Sequence, residues 1–158
     1  MGQVEKRLEE MDLTLPEVAP PLAQYVPAKL VGDLVYCSGQ LPVRDGAVIY
    51  KGHLGADLML EEGVECARLC ALNCLAAARS VIGDLDRVAE VVRVCGFVSS
   101  APGFVTPHDV LNGASDLLVE VFGEAGRHVR AAVGVAALPA NAPVEVEMIL
   151  RVRDEDAG

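Results

Sequence analysis

Arg130 is the only residue with a formal charge in the run from His128 to Val144, which leads directly into Glu145. Two apolar strands joined by a Pro/Asn-containing turn are expected here, and a guanidinium is costly to hold among them without an anionic partner. Two solutions are open. Either Glu145 neutralises Arg130 in a structural ion pair, or the arginine waits for an anionic ligand. In the second case its planar fork suits a carboxylate held by two hydrogen bonds.

Other chemistry-bearing residues are sparse. The chain carries no phosphate-binding glycine loop, dinucleotide fingerprint, HExxH, CxxC or GxSxG. His53 falls in a loop and His108 in a first helical turn, and nothing in the sequence brings them together. Cys66, Cys70 and Cys74 recur at helical spacing. Over i, i+4 and i+8 they spread along roughly 12 Å of helix axis, too far for one helix to wrap them around one ion. They are read as small packed side chains in preference to metal ligands.

The elements that must position these residues follow from periodicity. Val4 to Met11 predicts a short helix, followed by a proline-rich lead-in. Tyr25 to Val31 and Leu34 to Ser38 read as strands around the Gly32-Asp33 turn, and Pro42 to Tyr50 adds a turn at Asp45-Gly46 and a third short strand. Glu61 to Ile82 is the main helix, with an apolar face and acidic residues at its positive end. Val88 to Ser99 reads as a long strand. Thr106, Pro107 and Asp109 mark the start of a second helix that ends at Gly123. Val129 to Val135 and Val144 to Val152 complete the chain as strands.

This order predicts an α+β fold, one mixed sheet with two main helices on one face. The other face remains apolar enough to need cover, which favours an oligomer. The organisation expected is a lead-in over residues 1–20, one domain over 21–153 and an acidic tail over 154–158.

Composition narrows the function. The 158 residues carry 13 Lys and Arg against 23 Asp and Glu, a net charge of −10. Nucleic-acid binding is disfavoured by this balance and by the few aromatic residues. A charged start without an apolar signal core, no long apolar run and five cysteines suggest a cytoplasmic protein with reduced thiols and no membrane span.

Longer motifs add a resemblance. Tyr25-Val-Pro-Ala-Lys-Leu-Val-Gly-Asp-Leu-Val-Tyr-Cys-Ser38-Gly39-Gln40-Leu-Pro42, then Gly83-Asp-Leu-Asp-Arg-Val88, then Arg130…Leu138-Pro139…Val144-Glu145-Val146 resemble the Rid proteins. These are the YjgF-like reactive intermediate deaminases, also called endoribonuclease L-PSP. The resemblance runs from about Leu22 to Val152. It implies a chorismate-mutase-like fold, a homotrimer with clefts between subunits, and hydrolysis of 2-aminoacrylate-type enamines and imines to 2-keto acids and ammonia without a cofactor.

By the same resemblance, Arg130 anchors the substrate carboxylate, and Glu145 orients or deprotonates the attacking water. Tyr25, Ser38 and Asn112 line the cleft, and Gly39 lets backbone approach the ligand. There are departures. Ala132 stands where the deaminase branch often has cysteine, Ala131 where serine is usual, and His128 where a small residue or proline is common. In an extended strand His128 shares a face with Arg130, so it either borders the cleft or caps the preceding turn. The N-terminal helix and the segment from Arg44 to Gly55 look longer than the family core. These place the chain in a divergent branch. Two functions are carried forward: an imine deaminase, and a non-catalytic trimeric module that binds a keto acid or related carboxylate. Endoribonuclease is a third reading, at odds with the acidic charge.

Overall fold

Alternation along Val144–Val152 places Val144, Val146, Met148, Leu150 and Val152 on one buried face, with Glu145, Glu147, Ile149 and Arg151 on the other. This strand, β7, is the centre of the sheet in a computed structural model that describes residues 1–18, 20–21 and 23–155. The remaining elements are α1 (Gln3–Glu10), β1 (Ala28–Val31), β2 (Leu34–Gln40), β3 (Val43–Arg44), β4 (Ala47–Val48), α2 (Leu60–Ile82), β5 (Val88–Ser99), α3 (Pro107–Phe122) and β6 (Val129–Val135).

The main sheet has the order β1-β2-β7-β5-β6. Its pairs are antiparallel except β5 with β6, which run parallel and are joined by α3 as their crossover. α2 and α3 cover one face, as the α+β reading expects. Cys66, Cys70 and Cys74 are fully buried residues of α2 itself. The thiols of Cys70 and Cys74 donate to the β7 carbonyls of Val144 and Val146. Burial pushes the Cys66 thiol up to about 12, so it is neutral and unreactive.

Three details depart from expectation. β1 begins at Ala28 rather than Tyr25, because Pro27 has no N–H to enter a ladder. The third short strand does not join the main sheet. Instead Val43–Arg44 and Ala47–Val48 form their own hairpin across Asp45-Gly46, and Asn73 of α2 donates to the Leu41 and Val43 carbonyls at 3.0 and 3.1 Å, holding the hairpin over the helix. Thr106 occupies the N-cap position of α3, but its side chain makes no capping hydrogen bond. Of the acidic tail, residues 156–158 lie outside the described residues.

The second face of the sheet carries no covering element among the described residues. Val133, Phe97 and Glu145 stand in one row across it, and Tyr36, Val129 and Val133 are exposed. On the covered face, α2 and α3 approach closely at Gly113, where a Cβ would overlap the Val64 carbonyl oxygen. That approach sets where α3, and hence Asn112, sits relative to the sheet. Gly113→Ala is expected to destabilise the fold by about 1–3 kcal/mol through overpacking, read as a lower urea midpoint. An unchanged midpoint would show that the helices are not in tight contact there.

Candidate functional site

Arg130 lies on β6, the edge strand, and its register partner is Val94, which in turn pairs with Met148. Its side chain therefore points to the helix-covered face, toward α3. There Nη1 donates to Asn112 Oδ1 at 3.0 Å and to Ser115 Oγ at 3.2 Å, and Nη2 donates to the His108 carbonyl at 3.3 Å. Asn112 and Ser115 are three residues apart on one helix, so both reach the same spot. None of these acceptors carries a charge. Arg68, Arg79, Arg87, Arg127 and Arg151 each pair with a glutamate, whereas Arg130 has no carboxylate partner among the described residues. Three of its five donors are committed, leaving the Nε–H and one Nη2–H.

His128 joins this cluster. Nδ1 lies 2.7 Å from the Gly126 carbonyl and Nε2 lies 2.9 Å from Ser115 Oγ. A carbonyl only accepts, so Nδ1 carries the proton of the neutral ring, and Nε2 accepts from the Ser115 hydroxyl. Ser115 thus donates to His128 and accepts from Arg130. His128 closes the turn before β6, as one of its two readings expects, and stands beside the serine that holds the arginine. Ser115 belongs to this cluster and is absent from the sequence-based set. Its only signal is a polar residue one helical turn after Asn112, at the border of the apolar face.

Glu145 occupies the opposite face of the sheet. It lies on β7 against the irregular stretch between Cys37 and Gln40 of β2, and its carboxylate fills the place where a Cβ of Gly39 would stand. The absence of a side chain at Gly39 makes room for this carboxylate. The Glu145 carboxyl is half-buried and has no hydrogen-bond partner among the described residues. Desolvation, with a smaller push from Glu147 on the same face, raises it above the ordinary glutamate value. Ser38 Oγ donates to the Val26 carbonyl at 2.6 Å, which ties the lead-in to β2. Tyr25 precedes β1 with its ring exposed, near Gly39.

The single chain does not bring these groups into one site. Arg130 and Asn112 form one cluster at the β6 edge; Tyr25, Ser38, Gly39 and Glu145 form another toward the β1 side. β5 lies between β6 and β7, so Arg130 and Glu145 are two strand spacings apart, roughly 10 Å. Their β5 partners, Val94 and Phe97, add three residues along the strand, roughly another 10 Å. They also point to opposite faces. The ion-pair reading of Arg130 with its own Glu145 is excluded by this geometry.

Comparison with known proteins places these clusters in context. Residues 5–151 match the family model described as "YjgF/chorismate_mutase-like, putative endoribonuclease". Protein TCP17 of Trypanosoma cruzi is 44% identical over 97% of this chain and 96% of its own. The crystal structure of Atu1372 from Agrobacterium tumefaciens, a protein of unknown function, is 44% identical with a TM-score of 0.90, covering 96% of this chain and 93% of that one. RidA from an Antarctic Psychrobacter is 27% identical with a TM-score of 0.60, over 88% of this chain and 96% of its own.

The hydrogen-bond chain through Ser115 has a direct spectroscopic consequence. Imidazole ¹⁵N spectra of the neutral ring are expected to show His128 as the Nδ1–H tautomer. A predominant Nε2–H form would contradict the arrangement around Arg130.

Proposed function

The chain belongs to the YjgF/chorismate-mutase-like family, and we propose that it is a Rid-type hydrolase of reactive imines and enamines, built on clefts between copies of the chain. The observation that carries this reading is the division of the site. A fixed cation with two uncommitted donors lies at one sheet edge, and a carboxyl of raised pKa lies toward the other. Joining the β6 edge of one copy to the β1–β2 side of the next brings them together. Such a head-to-tail contact closes into a ring, and a homotrimer is the ring the reading adopts.

In this cleft Arg130 holds the carboxylate of a 2-imino acid, with Asn112 and Ser115 fixing the guanidinium. The imine carbon then faces Glu145 of the neighbouring copy, with Tyr25 and Ser38 at the rim. Water adds to the C=N carbon, and as the C–O bond forms Glu145 accepts the water's proton and passes it to the imine nitrogen, giving a carbinolamine. The carbinolamine hydroxyl then gives up its proton, through Glu145, to the amino group. The C–N bond breaks, ammonia departs and the C=O of a 2-keto acid forms. An imine is reactive enough that positioning supplies most of what is needed, and no side-chain nucleophile or cofactor enters the scheme. Glu145 suits the base because its raised pKa strengthens its hold on the proton.

A second reading keeps the cleft and drops the turnover. Ala132 shares the face of Arg130 where the deaminase branch often has cysteine, and this favours a trimeric module that binds a keto acid or related carboxylate without consuming it.

Turnover separates the two. With 2-aminoacrylate generated by a serine dehydratase, the protein is expected to accelerate pyruvate release. Arg130→Ala should lower that acceleration by roughly 100-fold, the cost of losing two charge-assisted hydrogen bonds. Glu145 must be ionised to act, so the rate should fall as pH drops through its raised pKa, above the ordinary glutamate value of about 4.3. Glu145→Gln should remove both the acid limb and most of the rate. No acceleration, with pyruvate still bound in an Arg130-dependent way, selects the binding module.

A further inference from the structure

A cavity of about 870 Å³ lies between the segment after α1, the β3–β4 hairpin and α2. Leu13 and Leu15 line it from the first, Val43 from the second and Leu72 from the third, so aliphatic side chains reach it from all three, with the charged residues Asp12, Glu17, Arg44 and Asp45 also in its lining. Tyr25 and Gly39 line it as well. Gly39 is the point of contact with the chemistry, because the Glu145 carboxylate packs against its Cα. The rim is not loose. Asn73 holds the Leu41 and Val43 carbonyls, the Leu13 N–H donates to the Leu8 carbonyl, and Asp86 caps α1 through the N–H groups of Gln3 and Val4 at 2.7 and 2.9 Å.

The volume is out of scale with 2-aminoacrylate. Pockets of roughly 300–1,000 Å³ enclose drug-sized ligands, and a three-carbon acid would leave most of this one to water. The walls come from the lead-in that follows the N-terminal helix and from the start of the Arg44 to Gly55 segment, and by the family resemblance that segment looks longer than the family core. We propose that this cavity receives the side chain of the substrate, and that the protein takes 2-imino acids with large aliphatic or aromatic side chains. The proposal rests on the reading of Arg130 as the carboxylate anchor, with Tyr25 and Gly39 at the junction of cleft and cavity. Burial of a side chain against such walls is worth about fourfold in affinity per methylene.

Calorimetric titration of the assembled protein with three product acids tests this: pyruvate, 4-methyl-2-oxopentanoate and phenylpyruvate. The two larger acids are expected to bind at least about tenfold tighter than pyruvate. Val43→Trp fills the cavity from the hairpin, and Thr14→Trp fills it from an exposed position that leaves the core intact. Either variant should cost the larger acids about tenfold and leave pyruvate within about twofold. Equal affinities for the three acids, all abolished by Arg130→Ala, would overturn the cavity proposal while sparing the carboxylate anchor. Folded tryptophan variants that weaken pyruvate as much as the larger acids would overturn it equally. Affinities indifferent to Arg130→Ala would overturn the anchor, and the proposal with it.

Discussion

The guanidinium of Arg130 keeps its full charge because α3 offers it oxygens and no carboxylate. Asn112, Ser115 and the His108 carbonyl hold its position without neutralising it, and solvent at the β6 edge limits the cost of leaving it unpaired. Much else in the fold serves this arrangement. The close contact at Gly113 sets the position of α3 against α2. The parallel β5–β6 pairing turns Arg130 toward α3, and His128 fixes the serine between them. A charge kept available at a sheet edge is what a carboxylate-binding protein requires.

Glu145 is the complementary case. It lies half-buried without a hydrogen-bond partner among the described residues, beside a second glutamate that raises its pKa further. Removing such a carboxyl would relieve a desolvation cost, so its presence fits a group placed for chemistry more than one placed for stability. Within one chain the two groups face away from each other. Each lacks what the other copy has to offer, and the apolar face bearing Phe97 and Val133 lacks cover as well. Assembly of the kind proposed would answer both needs.

The sheet and helices are largely legible in the sequence because their signals are local. Strand alternation in Val144 to Val152 and the apolar face of the main helix place β7 and α2 directly. Turn chemistry marks Gly32-Asp33 and Asp45-Gly46. The hairpin after Pro42 leaves the main sheet because its partner is the side chain of Asn73, thirty residues away, and no pattern in the strand itself records that. At the site, the importance of Arg130 shows in its isolation. Its true neighbours do not, since Ser115 reaches it only through the packing of α3 on β6. The face on which a charge sits depends on strand register: Arg130 and Glu145, members of one sequence motif, belong to opposite sides of the sheet.

One working site, on this account, is assembled from Arg130 of one copy and Glu145 of another. Subunit mixing tests it most directly. Arg130→Ala and Glu145→Gln chains, each inactive alone, are co-expressed in equal amounts, and keto-acid release from an imine is measured on the mixed assemblies. Random mixing leaves roughly a quarter of head-to-tail clefts with both groups intact, so about a quarter of the activity of the unmutated protein is predicted. Mixed assemblies as inactive as either variant alone would contradict the account.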